Sequence, residues 1–318
     1  MNTRFVRRTS KRMTTIVASL AVAASMLGLA GLAALTLPSA HEQRDPSPIA
    51  YDEDEDPMSE AVAALLDTAS SLHGSIDTLT YEQRYEGQTY SKQAFIYVPA
   101  SYSPGTPANV LYLTHGWWGN AAGLADGVAP VVDELETTGE AAPTIVVFAT
   151  YYPDRSFATD DYEDDYTLNR FFATSEIDTL MNAVETRYTT FAHGDTSDAS
   201  LRASRRHRAF GGFSMGATTT WDAFALRPQY FYGYMPMAGE SWIGREEDAD
   251  EERLAELITA GAVREGYGPG DFRILASVGS EDPALWDMTP QLDELHQDYP
   301  NLMTETSLQL WIDDGESH

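Results

Sequence analysis

One stretch, Ala209-Phe210-Gly211-Gly212-Phe213-Ser214-Met215-Gly216-Ala217, constrains this chain more than any other. Its centre has the form Gly-x-Ser-x-Gly, with Gly212 and Gly216 flanking Ser214. Residues 207–213 read as an apolar strand and residues 217–226 as a helix. A strand that turns sharply into a helix around a serine is a nucleophile elbow. The turn strains the serine backbone, and neighbouring glycines remove the Cβ atoms that would clash. The hydroxyl then stands at the C-terminal edge of a sheet. The N–H of Met215, at the helix start, faces an oxyanion formed there. An ordinary glycine-rich turn fits the same residues, so the rest of the chain must supply a histidine, an acid and a second oxyanion donor.

With 318 residues the chain makes one large domain or two small ones, and 43% hydrophobic residues suffice for a core. There is no cysteine, which excludes disulfides, thiolate zinc sites and a lipid-modified N-terminal cysteine. The net charge of −29 repels nucleic acid and anionic membranes, so no nucleic-acid partner is expected.

Within residues 1–40, Arg4, Arg7, Arg8, Lys11 and Arg12 precede an uncharged run, 16–37, closed by Leu37-Pro38-Ser39-Ala40. This is the layout of an export signal, and a secreted or extracellular protein is expected. The run is also long enough to span a bilayer, so a retained anchor with the catalytic part outside is the alternative. Membrane contact is expected only through this segment. Residues 41–75 hold an acidic, disordered spacer around Asp52-Glu53-Asp54-Glu55-Asp56, then a short amphipathic helix over 59–72. The spacer lacks the glycine turn and spaced ligands of a calcium loop.

A catalytic domain is expected over 76–318. Strand patterns at 78–86 and 89–98 have no helix between them and imply an antiparallel start. Strands then fall at 110–114, 144–150, 207–213, 232–238, 272–278 and 307–312. Helices are expected over 121–138, 175–188 (with Ser175 and Asp178 as a capping box), 217–226 and 289–298, with a charged helical insertion over 246–262. Residues 151–170 are acidic and aromatic without a period and read as a long loop that lines a site. Alternating strands and helices imply an α/β fold, a mostly parallel central sheet with helices on both faces.

There are seven histidines. His41 and His73 precede the domain, His193 lies in a polar loop, and His115 belongs to a His-Gly turn. His207 begins the elbow strand, about 20 Å from Ser214 at roughly 3.3 Å per residue. His296 sits on a polar helical stretch and reads as a solvated surface residue. His318 follows the last strand at the edge where Ser214 emerges, and is the expected general base, with His296 as the alternative. Asp282, just past a strand end, is the expected acid, with Glu281 and Asp287 as neighbours of the same type. The order Ser214, Asp282, His318 is that of the α/β-hydrolases. The second oxyanion donor is expected from the loop after strand 110–114, as Trp117 N–H beside Met215 N–H. Trp117 and Trp118 cannot both face the core, so one of them is expected to line the cleft.

With these residues the chain resembles the esterase D-like family of α/β-hydrolases. Its secreted members include feruloyl and acetyl xylan esterases, and its relatives include enterochelin esterases, S-formylglutathione hydrolases and mycolyltransferases. The resemblance is carried by Phe95-Ile96-Tyr97-Val98-Pro99, Leu111-Tyr112-Leu113-Thr114-His115-Gly116, Gly212-Phe213-Ser214-Met215-Gly216, Met237-Ala238-Gly239-Glu240-Ser241-Trp242, Gly279-Ser280-Glu281-Asp282 and Asp314-Gly315-Glu316-Ser317-His318. It implies serine esterase chemistry through an acyl-enzyme on Ser214, with Ser214, Asp282 and His318 as the triad and no metal or organic cofactor. Trp242 matches a position near the acyl pocket of plant-cell-wall esterases. Trp118, Glu240 and Trp242 form the candidate substrate-binding set. The expected substrate is a neutral acetyl or feruloyl ester on a plant polysaccharide. A mycolyl-type acyltransferase of the same fold and a non-catalytic surface binding protein on a hydrolase scaffold are the alternatives. Two departures stand out. Trp117 and Trp118 interrupt the family's glycine-rich turn, which implies a narrower or more aromatic acyl pocket. The family chain continues past its histidine with a helix, whereas His318 is the last residue, so a chain truncated at its C-terminus is expected.

Overall fold

A computed structural model describes residues 72–318. The export segment, the acidic spacer and the short helix expected before residue 72 lie outside the described residues.

The fold opens with a hairpin. β1 (Ser75–Tyr85) pairs antiparallel with β2 (Gln88–Val98), Tyr85 opposite Gln88. The two-residue turn, Glu86-Gly87, has φ +47° and +82°. Positive φ at both positions matches the right-handed twist of the strands. β2 then pairs antiparallel with β4 (Thr144–Ala149), and every later pairing is parallel. The remaining strands are β3 (Asn109–Thr114), β5 (Arg208–Phe213), β6 (Gly233–Met237), β7 (Arg273–Gly279) and β8 (Leu308–Asp313). The eight strands lie in the order β1-β2-β4-β3-β5-β6-β7-β8. This is the mostly parallel sheet with an antiparallel start that the strand pattern implies, in the α/β-hydrolase arrangement.

The central strands β3, β4 and β5 are buried along almost their whole length, with mostly apolar side chains, because both faces are covered. Leu111, Leu113, Val146 and Phe148 pack against Ala125, Val128 and Val132 of α1 (Ala121–Thr137). Their neighbours Val110, Tyr112, Ile145 and Val147 point to the opposite face. There they join Leu180 and Val184 of α3 (Ile177–Arg187), Phe224 of α5 (Met215–Leu226) and Ile258 of α6 (Glu251–Glu265). The short α4 (Asp198–Ala203) precedes β5, and α7 (Leu285–Asp298) joins β7 to β8.

Residues 151–170 differ from the expected loop. They contain two 3-10 turns, Arg155–Phe157 and Tyr162–Asp165, and a helix, α2 (Tyr166–Phe171). A π-helical turn, Phe172–Glu176, connects α2 directly to α3. Ser175 therefore lies inside a continuous helical path, and α3 begins without a side-chain cap in place of the expected capping box. Buried polar residues hid this helix from a hydropathy reading. Asn169 is fully buried, its amide donating to Met215 O at 2.9 Å and Thr219 Oγ1 at 2.8 Å. Glu176 is fully buried against Lys92 and accepts from Tyr81 Oη at 2.6 Å. His296, expected at the solvated surface, is half-buried and donates from Nδ1 to Met303 O at 2.7 Å, tying α7 to the loop after it.

Candidate active site

Ser214 joins β5 to α5 with φ +55° and ψ −116°, a conformation unfavourable for a residue with a side chain. Close approach of the backbone on both sides sustains it. A Cβ on Gly212 would fall 2.4 Å from Gly216 O, and one on Gly216 would fall 2.5 Å from Thr114 O. Ser214 N–H donates to Met237 O at 2.8 Å, which pins the elbow to the end of β6. Met215 is the first residue of α5, so its N–H is one of the first-turn groups without an intrahelical acceptor.

β7 and β8 carry the other two residues of the expected triad to the same edge. Asp282 follows β7 and is buried, and Oδ1 accepts from Ala284 N–H at 2.9 Å. The segment after β8 folds back onto β7. Ser280 N–H donates to Asp313 O at 2.8 Å, and Glu281 N–H to Glu316 O at 2.9 Å. This brings the His318 ring alongside Phe213, with ring centroids 4.9 Å apart. His318 Nδ1 lies 3.1 Å from Asp282 Oδ1 and 3.0 Å from Oδ2, and Nε2 lies 2.8 Å from Ser214 Oγ. A ring nitrogen facing a carboxylate carries the proton, so Nε2 is left to accept from the serine hydroxyl. The carboxylate is 1% exposed and the imidazole 43%, so the ring is open to solvent while its partner is not. Glu281 and Asp287 are both exposed.

The turn after β3 faces the serine, because a Cβ on Gly116 would lie 3.1 Å from Ser214 Cβ. His115 anchors this turn from below. It is buried, with Nδ1 2.8 Å from Gly116 O and Nε2 2.7 Å from Thr150 Oγ1. Burial pushes its pKa down to about 4, against the opposing pull of the Gly116 carbonyl. It is therefore neutral at pH 7, donating from Nδ1 and accepting at Nε2. Trp118, 46% exposed, lies at the rim with its ring 5.0 Å from the Arg155 guanidinium. Trp117 packs against the main core, with its ring centroid 5.8 Å from that of Tyr162. Tyr162 in turn lies 5.7 Å from Trp242, forming an aromatic row. Trp242 is only 6% exposed, stacked under Arg245 at 3.6 Å, and its indole N–H donates to Glu240. Glu240 itself is half-buried.

All the expected site residues thus lie around the elbow or the adjoining aromatic row. Sequence reasoning missed Tyr162, Arg155 and Arg245, which come from segments without a period. For Arg155 and Tyr162 the signal was the density of aromatic and charged residues in 151–170, which marked a site-lining segment without naming its members; Arg245, three residues after Trp242, left none. Among the described residues no group of three or more His, Asp and Glu side chains is arranged to hold a metal ion. No helix among them is long and apolar enough to cross a membrane.

The model of the Esterase family ("Putative esterase") matches residues 90–304. The chain belongs to the Esterase family. This esterase is 28% identical over 244 residues to endo-1,4-beta-xylanase Y of Acetivibrio thermocellus, covering 74% of the chain. It spans about a fifth of that xylanase, 21% of its length. Among solved structures it is similar to the feruloyl esterase module of Clostridium thermocellum, a serine-to-alanine mutant complexed with sinapinate. The TM-score is 0.65 at 27% identity, covering 77% of this esterase and 82% of that chain. The ferulic acid esterase of Anaeromyces mucronatus shares the fold, with TM-score 0.58 at 17% identity over 77% of this esterase and 84% of that chain. The family and these structural neighbours are those of serine carboxylic ester hydrolases.

Proposed function

We propose that the esterase is exported and cleaves hydroxycinnamoyl esters from plant polysaccharide through an acyl-enzyme on Ser214. The observation that carries this reading is the row Asp282, His318, Ser214, with contacts of 3.0 and 2.8 Å. Ser214 Oγ attacks the ester carbonyl carbon while His318 Nε2 takes its proton. The oxyanion is held by the N–H groups of Trp117 and Met215. The carbon–oxygen bond to the sugar breaks as His318 returns the proton to the leaving alcohol. Water then attacks the acyl-enzyme, giving its proton to His318, and the acid leaves as Ser214 regains its hydrogen. Asp282 keeps the imidazole in the accepting tautomer and stabilises its protonated form.

An aromatic acyl group suits the row Trp117, Tyr162 and Trp242, since flat rings gain offset or edge contacts there. Glu240 fixes the Trp242 indole, and Trp118 offers an exposed face to the sugar side. A hydroxycinnamate in the similar module from Clostridium thermocellum favours the same class over acetyl. The basic-then-apolar layout of residues 1–40 supports export.

The test is a fluorophosphonate probe followed by peptide mapping, with turnover of methyl ferulate measured alongside. Labelling at Ser214, and loss of at least about 10⁴-fold in kcat in Ser214→Ala, are expected. A Ser214→Ala chain that hydrolyses the ester as fast as the parent sinks the mechanism. A parent enzyme that prefers acetyl to hydroxycinnamoyl esters sinks the substrate class.

A further inference from the structure

The turn that carries Trp117 is built around an awkward residue. Gly116 O accepts from Gly119 N–H at 2.9 Å, closing a four-residue turn whose third residue, Trp118, has φ +59°. Positive φ at that position is the mark of a type II turn, where glycine or asparagine fits and a bulky side chain is strained. Such strain persists only where the surroundings over-determine the conformation.

Arg155 supplies that restraint. Its Nη2 donates to Trp118 O and its Nη1 to Gly119 O, each at 2.8 Å. Its guanidinium lies 5.0 Å from the Trp118 ring and 5.7 Å from the Tyr152 ring. Tyr152 Oη accepts from Trp118 N–H at 3.4 Å and donates to Asp165 Oδ2 at 2.6 Å. Trp118 O and Gly119 N–H belong to one planar peptide unit, and Gly116 O and Trp117 N–H to another. The carbonyl and N–H of a trans unit point in opposite directions, so holding one aims the other. A row therefore runs from the Arg155 guanidinium to Trp118 O, through Gly119 N–H to Gly116 O, and ends on Trp117 N–H.

We propose that Arg155 is a positioning residue for the oxyanion hole, holding and polarising Trp117 N–H through these two peptide units. The proposal rests on the reading of Trp117 N–H as an oxyanion donor. Hydrogen bonds in a row strengthen one another, and a cation at the far end draws electron density away from the last N–H. His115 Nδ1–H grips the same Gly116 carbonyl from the buried side. Arg155 thus does from outside the turn what glycine at position 118 would do from within. The two positions are coupled although 37 residues separate Arg155 from Trp118.

The test is a double-mutant cycle on methyl ferulate. Arg155→Met keeps an aliphatic stem and removes the donors. It is expected to lower kcat about 10- to 100-fold with KM within about 3-fold, against the 10²–10³ range for losing a donor outright. In the Trp118→Gly background the same change should cost less than about 3-fold, because glycine holds the turn unaided. Arg155→Lys, a point donor without the fork, should fall between. A melting curve for each variant checks that it folds. The amide signal of Trp117 in tryptophan-labelled protein reads the donor without turnover, and should move upfield in Arg155→Met. An unchanged amide signal, a kcat within about 2-fold of the parent, or equal losses in both backgrounds overturns the proposal. Failure of the Ser214 mechanism itself is read separately from Ser214→Ala.

Discussion

His318 Nε2 stands 2.8 Å from Ser214 Oγ although 104 residues separate the two along the chain. Because the other ring nitrogen faces Asp282, the orientation and tautomer of the ring are set by one buried carboxylate. In Asp282→Asn the side-chain amide can donate to Nδ1, which moves the ring proton to Nε2 and removes the acceptor for the serine. A loss of about 10²- to 10⁴-fold in kcat is expected, with KM little changed. Steady-state kinetics check it, and a variant within about 10-fold of the parent refutes the assignment.

Gly212 should tolerate nothing larger. Its added Cβ would lie 2.4 Å from Gly216 O and 2.5 Å from Thr114 Oγ1, both in the packed elbow. Gly212→Ala is expected to cost about 3 kcal/mol of stability, the upper end for overpacking. Gly123 in α1 makes the control, since the nearest atom to its Cβ is Asn120 Oδ1 at 3.6 Å. Gly123→Ala should raise stability by up to about 1 kcal/mol through helix propensity. Urea unfolding of both variants decides the matter.

Lys92 and Glu176 form an ion pair buried between the opening hairpin and the π-helical turn. Burial holds the lysine below its ordinary pKa and the carboxyl above its own, so desolvation outweighs the attraction of the pair in both groups. Lys92→Met leaves the carboxyl without its cation and should cost about 3–5 kcal/mol. The double change Lys92→Met with Glu176→Gln should recover part of that. A double variant less stable than Lys92→Met refutes this account.

Asp222 is buried on α5, with Oδ1 accepting from Tyr166 Oη at 3.2 Å and Oδ2 without a partner. Burial raises its pKa from the ordinary 3.8 to about 7. The folded state therefore holds this proton more tightly than the unfolded chain. Its contribution is fully present below pH 3.8 and is lost as the pH rises to 7, at up to about 1.4 kcal/mol per pH unit. Asp222→Asn removes the titration, so its stability relative to the parent should be higher at pH 8 than at pH 5. Melting temperatures at the two values test this, and an equal difference at both contradicts it.

Tyr162 sits between Trp117 and Trp242 and is itself 44% exposed. Tyr162→Ala should raise KM for methyl ferulate about 5- to 10-fold, in line with loss of an aromatic contact. It should leave p-nitrophenyl acetate within about 2-fold. A parallel loss on both esters counts against an aromatic acyl pocket.

Much of this architecture was legible because its causes are local. The elbow needs small residues on both sides of one serine, and Gly212 and Gly216 lie within two positions of it. The apolar strands announce a sheet covered on both faces, and chain order places Asp282 and His318 after strand ends. Other features are not local. Choosing Asp282 over Glu281 depends on which carboxylate the turn after β7 buries. The helix α2 was masked because Asn169 breaks the apolar period while satisfying buried partners far along the chain. Within the segment 151–170 nothing singled out Arg155, since backbone carbonyls accept its hydrogen bonds and any residue has one.

The sequence by itself determined that a strained serine would stand at the end of a parallel strand, with an acid and an imidazole following in order. Those requirements are written in the size and period of neighbouring side chains. Only the tertiary structure decided that the imidazole reaches the hydroxyl, that Tyr162 joins two tryptophans in a row, and that an arginine grips the strained turn. These are contacts between segments distant in the chain, and they arise only when the strands have been laid side by side.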